Sequence, residues 1–299
     1  MWGGTTTRSR LRQTISSLWH VNEVPETPRE NFVTSTTDVK HRLSFSREKE
    51  IVSNLAFLSA VSDDNLRVMA VCIEEYSNGE GITIRIASNT GDLSEVTAGF
   101  KKLGKILMQA ARRERPRTED IGALFGEVIA LDIFRILSRL RSRHAESKRS
   151  FKKPAIILQL QEVIKDRSIG GGISPSLKAE VESLRDLFFK LERLPSLNSM
   201  RAQAHELLGR IVRKAYDLTL VTDLSNVFQG SKLDPSLLMH LPVAIGKLGR
   251  YYSAASELVC AARNKQCPVF HDIRVEPFEV NKPGSIPEIG RIHAEGYLF

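Results

Sequence analysis

The sequence predicts a mainly α fold, with a helical bundle of about 175 residues (91–265) flanked by short β-segments. Three observations carry that prediction. Apolar residues recur at three- and four-residue spacing through most of 91–265, the period of a helix with one buried face. Two β-rich runs, Val68–Ile73 and Ile82–Ile86, precede the block, and a third, between Val269 and Phe278, follows it. Pro and Gly interrupt the block at short intervals, as helices joined by brief turns require.

The N-terminal part differs in composition. Residues 1–22 contain no acid, carry Arg8, Arg10 and Arg12, and place Leu11, Ile15, Leu18 and Trp19 on one helical face. Such a segment reads either as a disordered basic leader or as a mitochondrial presequence. Residues 21–45, with Pro25 and Pro28, read as linker. Leader and linker together make 1–45 the first region.

The second region, 46–90, reads as a helix plus a β-hairpin. Ser46 is the expected N-cap, with Glu48 and Glu50 in the first turn. Ile51, Leu55, Phe57, Leu58 and Val61 supply the buried stripe. The stretch Ser77-Asn78-Gly79-Glu80-Gly81 is the hairpin turn, its glycines free to take positive φ. Ile82, Ile84 and Ile86 alternate with Thr83 and Arg85, which predicts one buried face.

The third region, 91–265, is the helical block. Leu93, Val96, Phe100, Leu103, Leu107 and Ala110 predict a helix over 92–113, stopped by Pro116. Thr118, backed by Glu119 and Asp120, is the expected cap of one long helix over 118–146. Pro154 opens the next, over 154–167, and Gly170-Gly171-Gly172 reads as a hinge. Ser174-Pro175 is an N-cap followed by Pro in the first helical position. Further helices are expected over 196–216 and 219–229. Asp234-Pro235 opens a short helix that Pro242 restarts as 242–263. These stripes read as mutual core. The last region, 266–299, reads as a β-segment interrupted at Pro277, then a loop leading to Arg291-Ile292-His293-Ala294-Glu295.

Composition bounds the function. The 299 residues are 41% hydrophobic and 26% charged, ordinary values for a globular chain. No apolar run approaches the roughly 18 residues of a membrane span. The formal charge of +8, with pI near 9.5, permits an anionic partner. Cys72, Cys260 and Cys267 are too few for a disulfide framework and suit a reducing compartment. The expected location is intracellular, cytoplasmic or nuclear, with mitochondria as the alternative. P-loop, G-x-S-x-G and H-E-x-x-H signatures are all missing from the sequence. Arg135, Arg139, Arg141, Arg143, Lys148, Arg149, Lys152 and Lys153 face a single acid, Glu146. That cluster reads either as a nucleic-acid contact through phosphates or as a solvated helix end. Phe151 is the only aromatic within it, so base stacking is poorly supported.

His293-Ala294-Glu295 has the H-x-E spacing of a zinc deaminase, in which the His binds the metal and the Glu moves the proton. The other reading is a solvated His and Glu. The stretches Val71–Glu75, Ile82–Asn89, Lys247–Arg263 and Ile292–Glu295 resemble fungal members of the nucleic acid/nucleotide deaminase superfamily. These in turn are similar to the deaminase toxins of bacterial polymorphic toxin systems. The resemblance covers most of 46–295. It implies a long helical region ahead of a compact deaminase core, with His293 as the first zinc ligand and Glu295 as the proton shuttle. The family's C-x-x-C ligands have no counterpart before Phe299. As given, the resemblance therefore implies a truncated member without catalysis, or an active zinc-dependent deaminase if the chain extends further. A substitute site from Cys260, Cys267 and His271 is disfavoured, because Cys260 falls in an apolar-striped helix. The competing class is a helical protein-interaction module.

Overall fold

The structure is a computed structural model that describes residues 42–64, 67–146, 154–169, 173–221, 224–228 and 234–278, together with Arg10 and Gln13. The chain divides into two units, 1–38 and 39–299. Arg10 and Gln13, both helical, are the described residues of the first. The second is mainly helical with a small three-stranded sheet.

Its elements run α1 (Phe45–Ser59), β1 (Met69–Glu75), β2 (Gly81–Ser88), α2 (Ser94–Arg112), α3 (Arg117–Leu131), α4 (Ile133–Leu140), α5 (Ile156–Ile169), α6 (Pro175–Glu192), α7 (Arg201–Val221), α8 (Leu224–Phe228), α9 (Pro235–Ala262) and β3 (Asp272–Pro277). A 3-10 turn, Pro268–Phe270, sits between α9 and β3. It takes Val269, which the alternation placed in a strand.

The sheet has the order β1-β2-β3. β1 and β2 form the expected antiparallel hairpin, with Ile73 opposite Ile84. β3 pairs parallel to β2, with Val275 opposite Ile84. Parallel neighbours need a crossover connection, and here the crossover is the helical block itself. On the inward face Ile82, Ile84, Ile86, Ile273 and Val275 are buried, and α2 lies against β3. On the outward face Arg85 bridges Glu74 of β1 at 2.9 Å and Glu276 of β3 at 2.8 Å. The central position of β2 also buries Thr83, so its burial is less one-sided than alternation predicts.

Several helix boundaries differ from expectation, each for a local reason. Ser44, not Ser46, caps α1: its hydroxyl accepts from the Arg47 N–H at 3.4 Å. Pro116 stands at the α3 N-cap with no side-chain cap bond, which leaves Thr118 inside the first turn. The single helix expected over 118–146 breaks at Asp132 (φ −98°, ψ 12°) and stops at Arg141, which takes a left-handed conformation (φ 56°). There the Arg141 N–H bonds Ser138 O and the Ser142 N–H bonds Leu137 O, capping the last turn of α4. Ser174 caps α6 with Pro175 following, as expected. The Gly170–Gly172 hinge lies outside the described residues.

Pro242 does not divide α9, which runs for 28 residues through it. Pro lacks the N–H that would bond the Leu238 carbonyl. Burial of Leu241, Ala244, Ile245 and Leu248 on either side offsets that loss. α9 lies against α1, α2, α3, α5, α7 and α8, and is the element that most others touch. Small residues permit this. A Cβ on Gly249 would sit 2.7 Å from Tyr216 Cα and 2.9 Å from Tyr216 N, so α7 and α9 cross there almost backbone to backbone. A Cβ on Gly246, one turn earlier, would meet nothing within 4 Å.

These two glycines predict opposite signs on one helix. Gly249→Ala forces two backbones apart and should cost about 2 kcal/mol. Gly246→Ala should stabilise by about 0.5–1 kcal/mol, the ordinary gain at a helix interior. Urea denaturation of both variants checks this, and equal effects would contradict the crossing geometry.

Candidate functional site

The motif residues His293 and Glu295 lie outside the described residues. β3 precedes them in the sequence, and the Phe278 N–H extends its pairing by donating to Ile86 O at 2.7 Å. Among the described residues no group of three His, Cys, Asp or Glu side chains could hold a metal ion. Cys260 accepts a hydrogen bond from Arg117 at 2.8 Å, Cys267 is buried and His271 is exposed. Burial pushes the Cys267 thiol up from its usual range. With His293 outside the described residues, zinc chemistry rests on the sequence motif alone.

A group of buried titratable side chains lies where α1, α4 and α9 meet. Asp132, at the α3–α4 break, is fully buried. Its backbone still serves both helices: its N–H bonds Val128 O at 2.9 Å and its carbonyl accepts from Ile136 at 2.8 Å. Neither carboxylate oxygen has a hydrogen-bond partner. Desolvation therefore outweighs the nearby Arg139 and Arg135 charges and holds the carboxyl well above the ordinary Asp range. Arg139 lies over two rings, 4.6 Å from the Phe57 centroid and 5.1 Å from that of Tyr251, and donates to Lys247 O at 3.1 Å. Burial lowers its pKa. The Tyr251 hydroxyl is buried without a partner, and burial next to Asp132 raises its pKa. Arg135 is held by Asp63 at 2.8 Å. Sequence reading missed Asp132 and Tyr251. The signal for Asp132 was a lone acid between Leu131 and Ile133, inside an apolar stretch.

The concavities among the described residues include three on the helical surface. A polar cleft of about 430 Å³ opens between α1, α7 and α9, lined by Glu50, Asn54, Tyr216, Arg250 and Glu257 among others. Asn54 donates to Glu257 at 2.8 Å across it. A groove of about 490 Å³ runs between α3 and α7. Phe125, Ile129 and Leu187 give it an apolar floor, and Arg210, Arg213 and Lys214 stand among its charged residues. His205 Nε2 lies 2.8 Å from the Gly126 carbonyl, so that nitrogen carries the proton. The third concavity, about 470 Å³, lies beside Arg141, Gln159 and His240.

The basic cluster seen in the sequence is partly drawn inward. Arg135 and Arg139 are placed as above, and Arg141 donates to Pro154 O at 3.1 Å. Arg143 is exposed; its backbone donates to Glu192 at 3.1 Å and its side chain to Leu194 O at 2.9 Å. Lys148, Arg149, Lys152 and Lys153 lie outside the described residues. Among the described residues no helix is long and apolar enough to cross a membrane. Compared with family models, curated proteins and solved structures, the chain matches none.

Asp132 predicts a pH dependence. Its folded pKa is raised, so the stability of the neutral form is fully present below the ordinary value of about 3.8 and is lost as pH rises through the folded value. Asp132→Asn keeps the shape and removes the charge. Its urea midpoint should equal or exceed that of the parent at pH 7, and the gap should shrink toward pH 4. A variant less stable at pH 7 than at pH 4, relative to the parent, would show that the carboxylate is ionised.

Proposed function

We propose that this chain is the helical and hairpin portion of a deaminase-like protein, with His293 and Glu295 as the opening of a zinc motif. The observation that carries the reading is the H-x-E spacing at 293–295, downstream of a strand and of the quoted stretches that resemble the family. The order helix, strand, turn, strand at 45–88 is in keeping with it. In a completed site His293 would be a ligand to zinc, which supplies a water acidic enough to act as nucleophile near neutral pH. Glu295 would hold the proton of that water and return it to the departing amine. One ligand cannot bind zinc firmly, and the 299 residues contain no C-x-x-C. The chain as it stands is therefore proposed to lack deaminase activity.

A second reading, a helical protein-interaction module, is favoured by the α3–α7 groove. Its apolar floor and charged residues suit an amphipathic segment. A third is nucleic-acid binding through Arg135, Arg139, Arg141, Arg143, Lys148, Arg149, Lys152 and Lys153, of which Arg143 is the exposed member among the described residues.

The expected outcome is no ammonia from cytidine, adenosine or their polymers with the 299-residue chain. Release abolished by Glu295→Ala would overturn the inactive reading. Sequencing the 3′ end of the transcript tests the family reading itself: a frame that runs on past Phe299 without a C-x-x-C would remove its basis.

A further inference from the structure

We infer that the exposed face of α2, continued by the α2–α3 turn, is a docking surface for the phosphate backbone of a nucleic acid, contacted without reading its bases. Residues 101–117 hold seven Lys and Arg against the single acid Glu114, a net +6 in a chain whose formal total is +8. Lys101, Lys105 and Arg112 are spaced by four and seven residues, so they share one face of α2, and all three are exposed. At 1.5 Å per residue the stripe is about 16 Å long.

Some cations elsewhere in the fold are paired with acids. Arg85 has Glu74 and Glu276, Arg135 has Asp63, and Lys214 has Glu180. What sets 101–117 apart is density, seven cations with one acid in 17 residues. Lys101 and Lys105 meet no acid among the described residues. Arg112 reaches Glu114 only at 3.6 Å, with both side chains half exposed, so the pair is weak. Lys102, off the stripe, is 3.7 Å from Glu127.

The turn fixes its arginines with neutral acceptors. Arg113, left-handed at φ 57°, donates to Arg263 O at 2.7 Å. Arg117 donates to the Cys260 sulfur at 2.8 Å, and Arg115 to the Gln109 side-chain oxygen. A carbonyl, a thiol and an amide orient these guanidiniums without cancelling their charge. The Arg113 contact also brings the end of α9, with exposed Lys265, beside the turn. Arg263 itself is committed to buried Asp120.

The partner class follows from what the surface lacks. The stretch 101–117 contains no aromatic residue, so bases have nothing to stack on. None of the exposed large apolar side chains (Phe45, Val68, Phe134 and Phe189 among them) lies on it, so a bilayer has no wedge to accept. A row of cations on one helix face, beside a turn whose arginines are oriented, suits phosphates, and such binding should weaken steeply with salt. The surface does not depend on His293 or Glu295.

The test uses the full chain and a fluorescent duplex of random sequence, about 20 base pairs, titrated between about 50 and about 200 mM salt. Lys101→Gln/Lys105→Gln/Arg112→Gln is compared with Lys165→Gln/Lys178→Gln/Lys190→Gln, which removes equal charge from exposed positions on α5 and α6. The parent should bind at low salt. The α2 triple should lose about tenfold or more in affinity and flatten the log–log salt slope by about three, roughly one per phosphate contact. The α5/α6 triple should lose far less. Absence of parent binding at low salt overturns the inference, as do equal losses in the two triples. Binding to phosphatidylserine vesicles that the α2 triple abolishes, with duplex binding unchanged, overturns it in favour of a membrane surface.

Discussion

The close approach of α7 to α9 at Gly249 is the contact on which the rest of the second unit depends. With 2.7 Å between a would-be Cβ and Tyr216 Cα, no side chain fits between the two helices. Contact at that range lets α9 lie among most of the other helices, with Ala244, Ala254, Ala255, Ala261 and Ala262 among its buried residues. Its few charged residues are placed accordingly. Arg250 reaches the Ser53 carbonyl at 3.3 Å and Glu257 accepts from Asn54, so α1 is held to α9 by polar contacts beside the apolar ones.

The interior polar cluster shows what such packing costs. Asp132, Arg135, Arg139 and Tyr251 share a region where burial shifts the first, third and fourth toward their uncharged forms. Arg139 lies over the Phe57 and Tyr251 rings with the Asp132 carboxyl nearby. That carboxyl has no hydrogen-bond partner, and Asp132 marks where the expected long helix divides. The kink, the buried acid and the ring-stacked guanidinium belong to one local arrangement joining α1, α4 and α9.

Much of the fold was legible because its signals are local. Ser174-Pro175 marked the start of α6, and the alternation of Ile82, Ile84 and Ile86 marked β2, since cap chemistry and period-two burial depend on few neighbours. The misreadings share a different cause. Pro242 looked like a boundary, yet burial on both sides carried α9 through it; Thr118 looked like a cap, yet the helix starts beneath Pro116. The parallel partnership of β2 with β3 had no local signature at all. The cation cluster at 135–153 was visible as composition, but periodicity did not reveal that Arg139 would turn inward onto two rings. The H-x-E motif remains a property of the sequence, with His293 and Glu295 beyond the described residues.

The crossover between β2 and β3 has a consequence for how the chain is made. Arg85 and Glu276 are 191 residues apart, yet they meet across neighbouring strands. At the usual elongation rate of about 5–20 residues per second, β2 emerges from the ribosome roughly 10–40 s before its partner strand. During that interval the β2 edge offers unpaired backbone groups, the feature that invites strand-to-strand aggregation. β1 and β2 can pair once both have emerged, whereas β3 is available only after the whole helical block has been made. Translation speed through residues 89–271 sets how long that edge stays open.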